Sequence, residues 1–298
     1  MNGRIAVASL SLGTGFPGTI FSLLKRQLLP GDQLVECSMV LEKTPEYTRT
    51  RLLGLLDASV RPTALIGICL RPDPATVAAY RAAGVPIVLV DEETDGVSTV
   101  ASDNFAGGLL AARHLVQAGR RAMGVVCGLR HLDGGYNALQ RVSGFEKGLA
   151  EAGLALAPGR LVEVMNYSRK DGMDAMAKLL DGGGELDAVF CAAGDLCADG
   201  MLASARTRGV HVPDQLALVG YDDHPVSATT SPPLSTVRQP LERIAHAAYQ
   251  LAAADAREIF ARPRKVILEP DLIARASTER AAASAPTPAP FRSADLAC

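Results

Sequence analysis

Tryptophan is absent from this chain of 298 residues, and aromatic side chains make up only 4% of it, so a surface that stacks bases or sugars on rows of rings has little to be built from. No Lys/Arg-rich run occurs and the formal charge is -2, which leaves the bulk chain without an electrostatic case for binding nucleic acid. No apolar run approaches the roughly 18 residues that span a bilayer. The opening MNGRIAVASLSLG has no positively charged leader ahead of a long apolar region and a cleavage site, which sets the expectation of a cytoplasmic protein. The six cysteines, Cys37, Cys69, Cys127, Cys191, Cys197 and Cys298, form no CxxC pair and read as reduced thiols rather than as disulfides or metal ligands. The five histidines (114, 131, 211, 224 and 246) show no metal-ligand spacing, and no G-x-S-x-G elbow occurs. Neither a metal nor a cofactor is expected, and no enzymatic activity.

What the chain has is apolar matter in regular order. Hydrophobic residues are 48% of it, enough for a large core. Short β-branched runs alternate with helical patterns: RIAVASL, QLVECSMV, ALIGICL, PIVLVD and AMGVVCG read as strands, and the segments between them as helices, DNFAGGLLAARHLVQAG being capped by Asp103 or Asn104. A second round follows, with RLVEVM, DAVFCA and LALVGYD as strands between helices. Such alternation predicts parallel sheets covered on both faces, wound with one hand. The fold class is therefore α/β: two doubly wound parallel-sheet lobes joined by multiple hinge crossovers. STV and RQPLERIAHAAYQLAAADAREIF begin after the second round is used up, and RKVILEPDLIARAST supplies a last strand pair, so the chain crosses between lobes more than once. The expected boundaries are residues 1–127 plus 239–263 for the first lobe and 128–238 plus 264–278 for the second. Residues 279–298, rich in Ala, Pro and Ser, are expected to be a disordered tail.

Several segments then stand in a suggestive order: GVPIVLVDEE, VSTVASDNFAGGLLAARHLVQAGRRAMGVVCG, QRVSGFEKGLAEAGL, and DAVFCAAGDLCADGMLASARTRGVHVPDQLALVGYDDHPVSATTSPPLSTVRQP. In that order and spacing the chain resembles the effector-binding core of the lactose/galactose repressor family, which has the type I periplasmic-binding-protein fold. The resemblance implies a small-molecule effector, sugar-like or another small polar metabolite, held in the cleft between lobes, and a two-fold homodimer. It implies DNA binding only through a helix-turn-helix domain, which the family carries before its first strand; here the first strand begins at Arg4, so the given residues are expected to hold the sensor core, whether that domain was cut away or never encoded.

The resemblance also assigns residues. Asp222, directly after LVGY, is the acid that accepts hydrogen bonds from the ligand, at the carboxyl end of a strand where open α/β sheets bind their ligands. Asp223 holds the turn. Arg141 opens a helix at the cleft and forks onto ligand oxygens; Phe190 matches a stacking position, with core packing as the other reading; Gln239 lies on the hinge; Phe16 and Tyr136 lie in loops expected at the cleft. Asp222 and Arg141 are both expected at element ends, so that the fold survives removal of either. Helices such as PDPATVAAYRAAG and DLCADGMLASARTRG are candidates for the dimer surface. The chain departs from the pattern at Gly194, where sugar-binding relatives have Asn, which puts ordinary sugar recognition in doubt. Two alternatives stay open. One is a stand-alone solute-binding protein of a transporter. The other is an NAD-dependent oxidoreductase, on the G-x-G-x-x-G of Gly13, Gly15 and Gly18 between a strand and a helix.

Overall fold

The computed structural model describes residues 3–9, 12, 15–38, 45–57, 59, 61–130 and 135–279. The chain runs β1 (Arg4–Ser9), α1 (Gly15–Gln27), β2 (Gln33–Ser38), α2 (Pro45–Gly54), β3 (Ala64–Ile68), α3 (Pro74–Ala82), β4 (Ile87–Val90) and β5 (Ser98–Ser102). Then come α4 (Asn104–Gln117), β6 (Met123–Gly128), α5 (Tyr136–Glu151), β7 (Leu161–Val164), α6 (Arg169–Asp181), β8 (Ala188–Cys191), α7 (Asp195–Thr207) and β9 (Ala217–Asp222). It ends with α8 (Val226–Thr229), β10 (Ser235–Arg238), α9 (Leu241–Ala253), α10 (Ala256–Ala261), β11 (Lys265–Leu268) and β12 (Asp271–Ile273).

Two six-stranded sheets result, ordered β11-β5-β4-β3-β1-β2 and β12-β10-β9-β8-β6-β7. Every pairing is parallel except β10 with β12. Alternate residues of each buried strand feed opposite faces. In β8, Ala188 and Phe190 join the core under α4 and α5, while Val189 and Cys191 join the core under α6 and α7. The first sheet is covered by α1 and α9 on one face and by α2 and α3 on the other. The predicted α/β architecture holds, and the chain passes between the sheets three times: after β5, after β10 and after β11.

The lobe boundaries need correction. β6 pairs with β7 and β8 in the second sheet, and α4 packs on α5, so the first crossing comes at about residue 103 rather than after 127. β11 joins β5 in the first sheet; of the last strand pair only β12 belongs to the second. Both errors follow from β5. Its sequence STVAS is short and rich in hydroxyls, and reads as a connection, yet all five residues are buried. Without it the first round lacked a strand and took β6. The 279–298 tail lies outside the described residues but for Glu279. The apolar side of α7, read as a surface for a second copy, is buried within the chain.

Two helix pairs pack closely because glycines face backbone. A Cβ on Gly108 of α4 would run into the Arg141 carbonyl of α5, and one on Gly144 of α5 would run into the Phe105 carbonyl of α4. Gly172 and Gly200 do the same for α6 and α7. Gly107 in turn leaves room for the Tyr221 hydroxyl.

After β9 the backbone reverses through Asp222 at φ 100° and Asp223 at φ 52°, left-handed conformations that Asp tolerates better than most residues. Asp223 fixes this reversal. Its Oδ1 accepts from Arg275 Nη2 at 2.7 Å and Ser227 Oγ at 3.1 Å, and its Oδ2 from Arg238 Nε at 2.6 Å. Burial disfavours its charge, but these bonds outweigh it and hold the carboxyl below its ordinary value. The same loop is tied to α7 by the buried Asp195, which accepts from Thr236 Oγ1 at 2.7 Å and the His224 N–H at 2.8 Å.

Two stability experiments follow from this packing. Gly108→Ala is expected to cost about 1–3 kcal/mol of unfolding free energy by overpacking. Gly54→Ala, with nothing within 4 Å of the added carbon, should be neutral or gain up to about 1 kcal/mol. Equal effects at the two sites would refute the close-packing account. Asp223→Asn keeps a residue that accepts the left-handed backbone and should cost about 1–3 kcal/mol at pH 7. Because the folded carboxyl titrates below its ordinary 3.8, its contribution is complete above that value and is lost as pH falls through the folded value. The difference between wild type and variant, followed by urea unfolding, should therefore shrink only below about pH 4; a difference independent of pH would show that the ion pairs do not hold the turn.

Candidate functional site

The carboxyl ends of β3 and β4 in the first sheet and of β8 and β9 in the second bring Cys69, Asp91, Ala192 and Asp222 to one region between the lobes. At its centre is Arg141, 4% exposed, in the second turn of α5. Its Nε donates to Asn104 Oδ1 at 2.7 Å and its Nη1 to the Ala192 carbonyl at 2.9 Å. Nη2 faces Asp91 Oδ2 at 3.8 Å, and the guanidinium lies 3.7 Å over the Tyr221 ring. Burial works against this charge, but Tyr221, Asp222 and Asp91 together favour it.

Asp91 was not singled out from sequence. It follows β4 at φ 57°, 1% exposed. Asn104 Nδ2 donates to its Oδ1 at 2.7 Å and Asn137 Nδ2 to its Oδ2 at 2.7 Å. One first-lobe carboxylate thus holds three second-lobe side chains. The sequence signal was available in the acids of VDEE closing a buried strand. Next to it Glu92, fully buried, accepts from Arg71 Nη2 at 2.8 Å. Glu93 accepts from Tyr136 Oη at 2.9 Å across the lobes and pairs with Lys265 at 2.6 Å. A cavity of about 170 Å3 opens beside that contact, lined by Ser102, Asn104, Phe105, Tyr136, Lys265 and Ile267 among others.

Asp222 accepts from Gln239 Nε2 at 2.7 Å through Oδ1. Burial raises its carboxyl above the ordinary value against the opposing pull of Arg141 and the Gln239 bond. Gly194, at φ 90°, faces it: a Cβ there would lie 2.8 Å from Asp222 Oδ2. Gln239 is 2% exposed and its Oε1 has no hydrogen-bond partner; the same is true of Asn137 Oδ1 and Glu92 Oε2. Cys69 and Tyr167, also unanticipated, stand within the field of Asp91 and Arg141. Burial pushes the Cys69 thiol up, and pushes the Tyr167 phenol up to about 12.

The sequence-assigned residues divide. Asp222, Arg141 and Gln239 are brought together, and Tyr136 joins the adjoining interlobe contact. Arg141, however, sits within the helix and is buried among partners, so its removal reaches the packing of the fold. Phe190 faces the core at 0% exposure, stacked on Phe145 with ring centroids 5.1 Å apart. Its position in β8 selects that face, and core packing is the reading the geometry supports. Phe16 opens α1 and packs against the first-lobe core. Of the histidines and glycines noted from the sequence, His131 and Gly13 lie outside the described residues. His224 donates its backbone N–H to Asp195 and accepts from the Val226 N–H through Nδ1 at 3.3 Å.

Residues 112–278 match the family described as the periplasmic binding protein-like domain. The chain is 32% identical over 168 residues to the HTH-type transcriptional repressor PurR of Haemophilus influenzae, covering 56% of this chain and 48% of that protein. It spans about half the length of the curated relatives it matches. Among solved structures it resembles the transcriptional regulator CelR in complex with cellobiose, with TM-score 0.78 and 26% identity over 93% of this chain and 85% of the other. A transcriptional regulator of LacI family from Sanguibacter keddieii gives TM-score 0.75 and 28% identity over 93% and 99%. Among the described residues no helix is long and apolar enough to cross a membrane. With one family matched over more than half of its length and these regulators sharing its two-sheet arrangement, the chain belongs to the periplasmic binding protein-like family, as a core domain of the lactose/galactose repressor type.

Proposed function

We propose that this chain is the effector-sensing part of a transcriptional regulator, and that a small polar metabolite, sugar-like or of comparable size, binds between the lobes. The observation that carries the reading is the group at the interlobe region, where Asp222 is bonded to hinge residue Gln239 and lies in the field of Arg141 and Asp91. Polar groups are rarely left buried without partners, and here Gln239 Oε1 and Asn137 Oδ1 are. A ligand donating to them supplies the missing bonds. The resemblance to PurR and to CelR, the latter in complex with cellobiose, supports the same class. Ligand that bonds Asp222 also bears on Gln239, and Gln239 leads directly into α9 of the first lobe, so occupancy acts on the hinge. Assembly as a two-fold homodimer and action on DNA through a separate domain belong to the same reading.

The test is a thermal-shift screen of sugars and polyols beginning with cellobiose, repeated on two variants. Asp222→Ala is expected to weaken the binding found by roughly 10- to 150-fold, the loss of a charge-assisted hydrogen bond of about 1.5–3 kcal/mol. Arg141→Ala should in addition lower the melting temperature of the ligand-free protein, because Asp91 then stays buried without its cation. Affinity that does not respond to Asp222→Ala would move the ligand elsewhere.

A further inference from the structure

We propose that the interlobe site selects a small cation: a protonated amine carried on a hydroxylated skeleton, in preference to neutral or anionic analogues of the same skeleton. The inference rests on the interlobe reading above and adds the charge class of the ligand.

Each of the three acids that follow β4 has a cation within 4 Å. Arg141 faces Asp91 at 3.8 Å, Arg71 pairs with Glu92 at 2.8 Å and Lys265 pairs with Glu93 at 2.6 Å. Asp222 is the fourth acid. The group bonded to its Oδ1 is the uncharged amide of Gln239. His224 is within its field, and its Nδ1 accepts from the Val226 N–H. Among the described residues no ion pair is made to Asp222 within 4 Å; Arg141 reaches it through its field alone, which it shares with Asp91.

The hydrogen-bond balance has the same sign. Three buried acceptors at the site lack partners, Gln239 Oε1, Asn137 Oδ1 and Glu92 Oε2, on residues 2%, 8% and 0% exposed; the Ser102 hydroxyl, also without one, can accept or donate. The strongest donor, Arg141, already gives Nε to Asn104 and Nη1 to Ala192. An anionic ligand would meet Asp222 beside a cation, Arg141, whose field is already divided between Asp222 and Asp91. A neutral polyol could satisfy the acceptors but not the charge. An ammonium group flanked by hydroxyls does both. Gly194 leaves the approach to Asp222 Oδ2 open, since a side chain there would start 2.8 Å from that oxygen.

Three compounds on one skeleton isolate the charge: glucosamine, glucose and glucuronate, titrated calorimetrically into the full chain at low and high salt. Glucosamine is expected to bind on the order of 10-fold more tightly than glucose, with glucuronate weakest. The preference should weaken as salt rises and disappear in Asp222→Asn, whose melting curve reports whether it folds. The wild-type ranking decides the matter even if that variant does not. Glucuronate binding tightest, or glucose binding at least as well as glucosamine while still depending on Asp222, would overturn the charge inference and leave the interlobe reading standing. Glucosamine binding that ignores Asp222→Asn would overturn both, as would failure of all three to bind at millimolar concentration.

Discussion

Arg141 is a full charge in a place where water does not reach, and the arrangement around it follows from that constraint. A buried guanidinium is tolerable only when its donors are matched and its charge opposed. The matching groups come from four elements. Asn104 opens α4, Ala192 follows β8, Asp91 follows β4 and Tyr221 belongs to β9. Because Asp91 belongs to the first lobe and the others to the second, satisfying one side chain also joins the two halves. The glycines of α4 and α5 belong to the same requirement. Gly108 and Gly144 bring the helices close enough for Arg141 and Asn104 to meet, and Gly107 admits the Tyr221 hydroxyl that donates to Asn104 at 3.3 Å.

The two adjacent acids after β9 divide the work. Asp223 has two arginines and a serine and is committed to the reversal of the chain. Asp222 has one amide and a raised carboxyl, and in the proposed reading it is the group that takes the ligand. Their left-handed backbones turn one carboxylate toward Arg238 and Arg275 and the other toward the hinge. Asp195 below them is satisfied within the chain, and Gly220 exists to make room for it. In the proposed reading, binding and local stability are thus separated by a single residue step. Under the proposed function, a ligand at Asp222 would act on the hinge through its bond to Gln239.

The alternation of short β-branched runs with helices of ten or more residues determined, without any structure, that two doubly wound sheets would form. Local periodicity and caps such as Asp103 specify that, and they need no distant partner. The placement of Asp222 at a strand end and of Gln239 at the entry to a helix was also legible, as was the turn role of Asp223, because strand ends and helix entries are local features. What the tertiary structure alone decided was membership and facing. STVAS became a strand because neighbours on both sides gave its backbone hydrogen bonds, and this moved the first crossing to about residue 103. Phe190 went to the core because its place in the β8 register gave it Phe145. Arg141 became a buried strut because Asp91, fifty residues earlier, stands in the other lobe. Partners so far apart in sequence meet only after the crossovers are made, and no window of residues around either one contains that information.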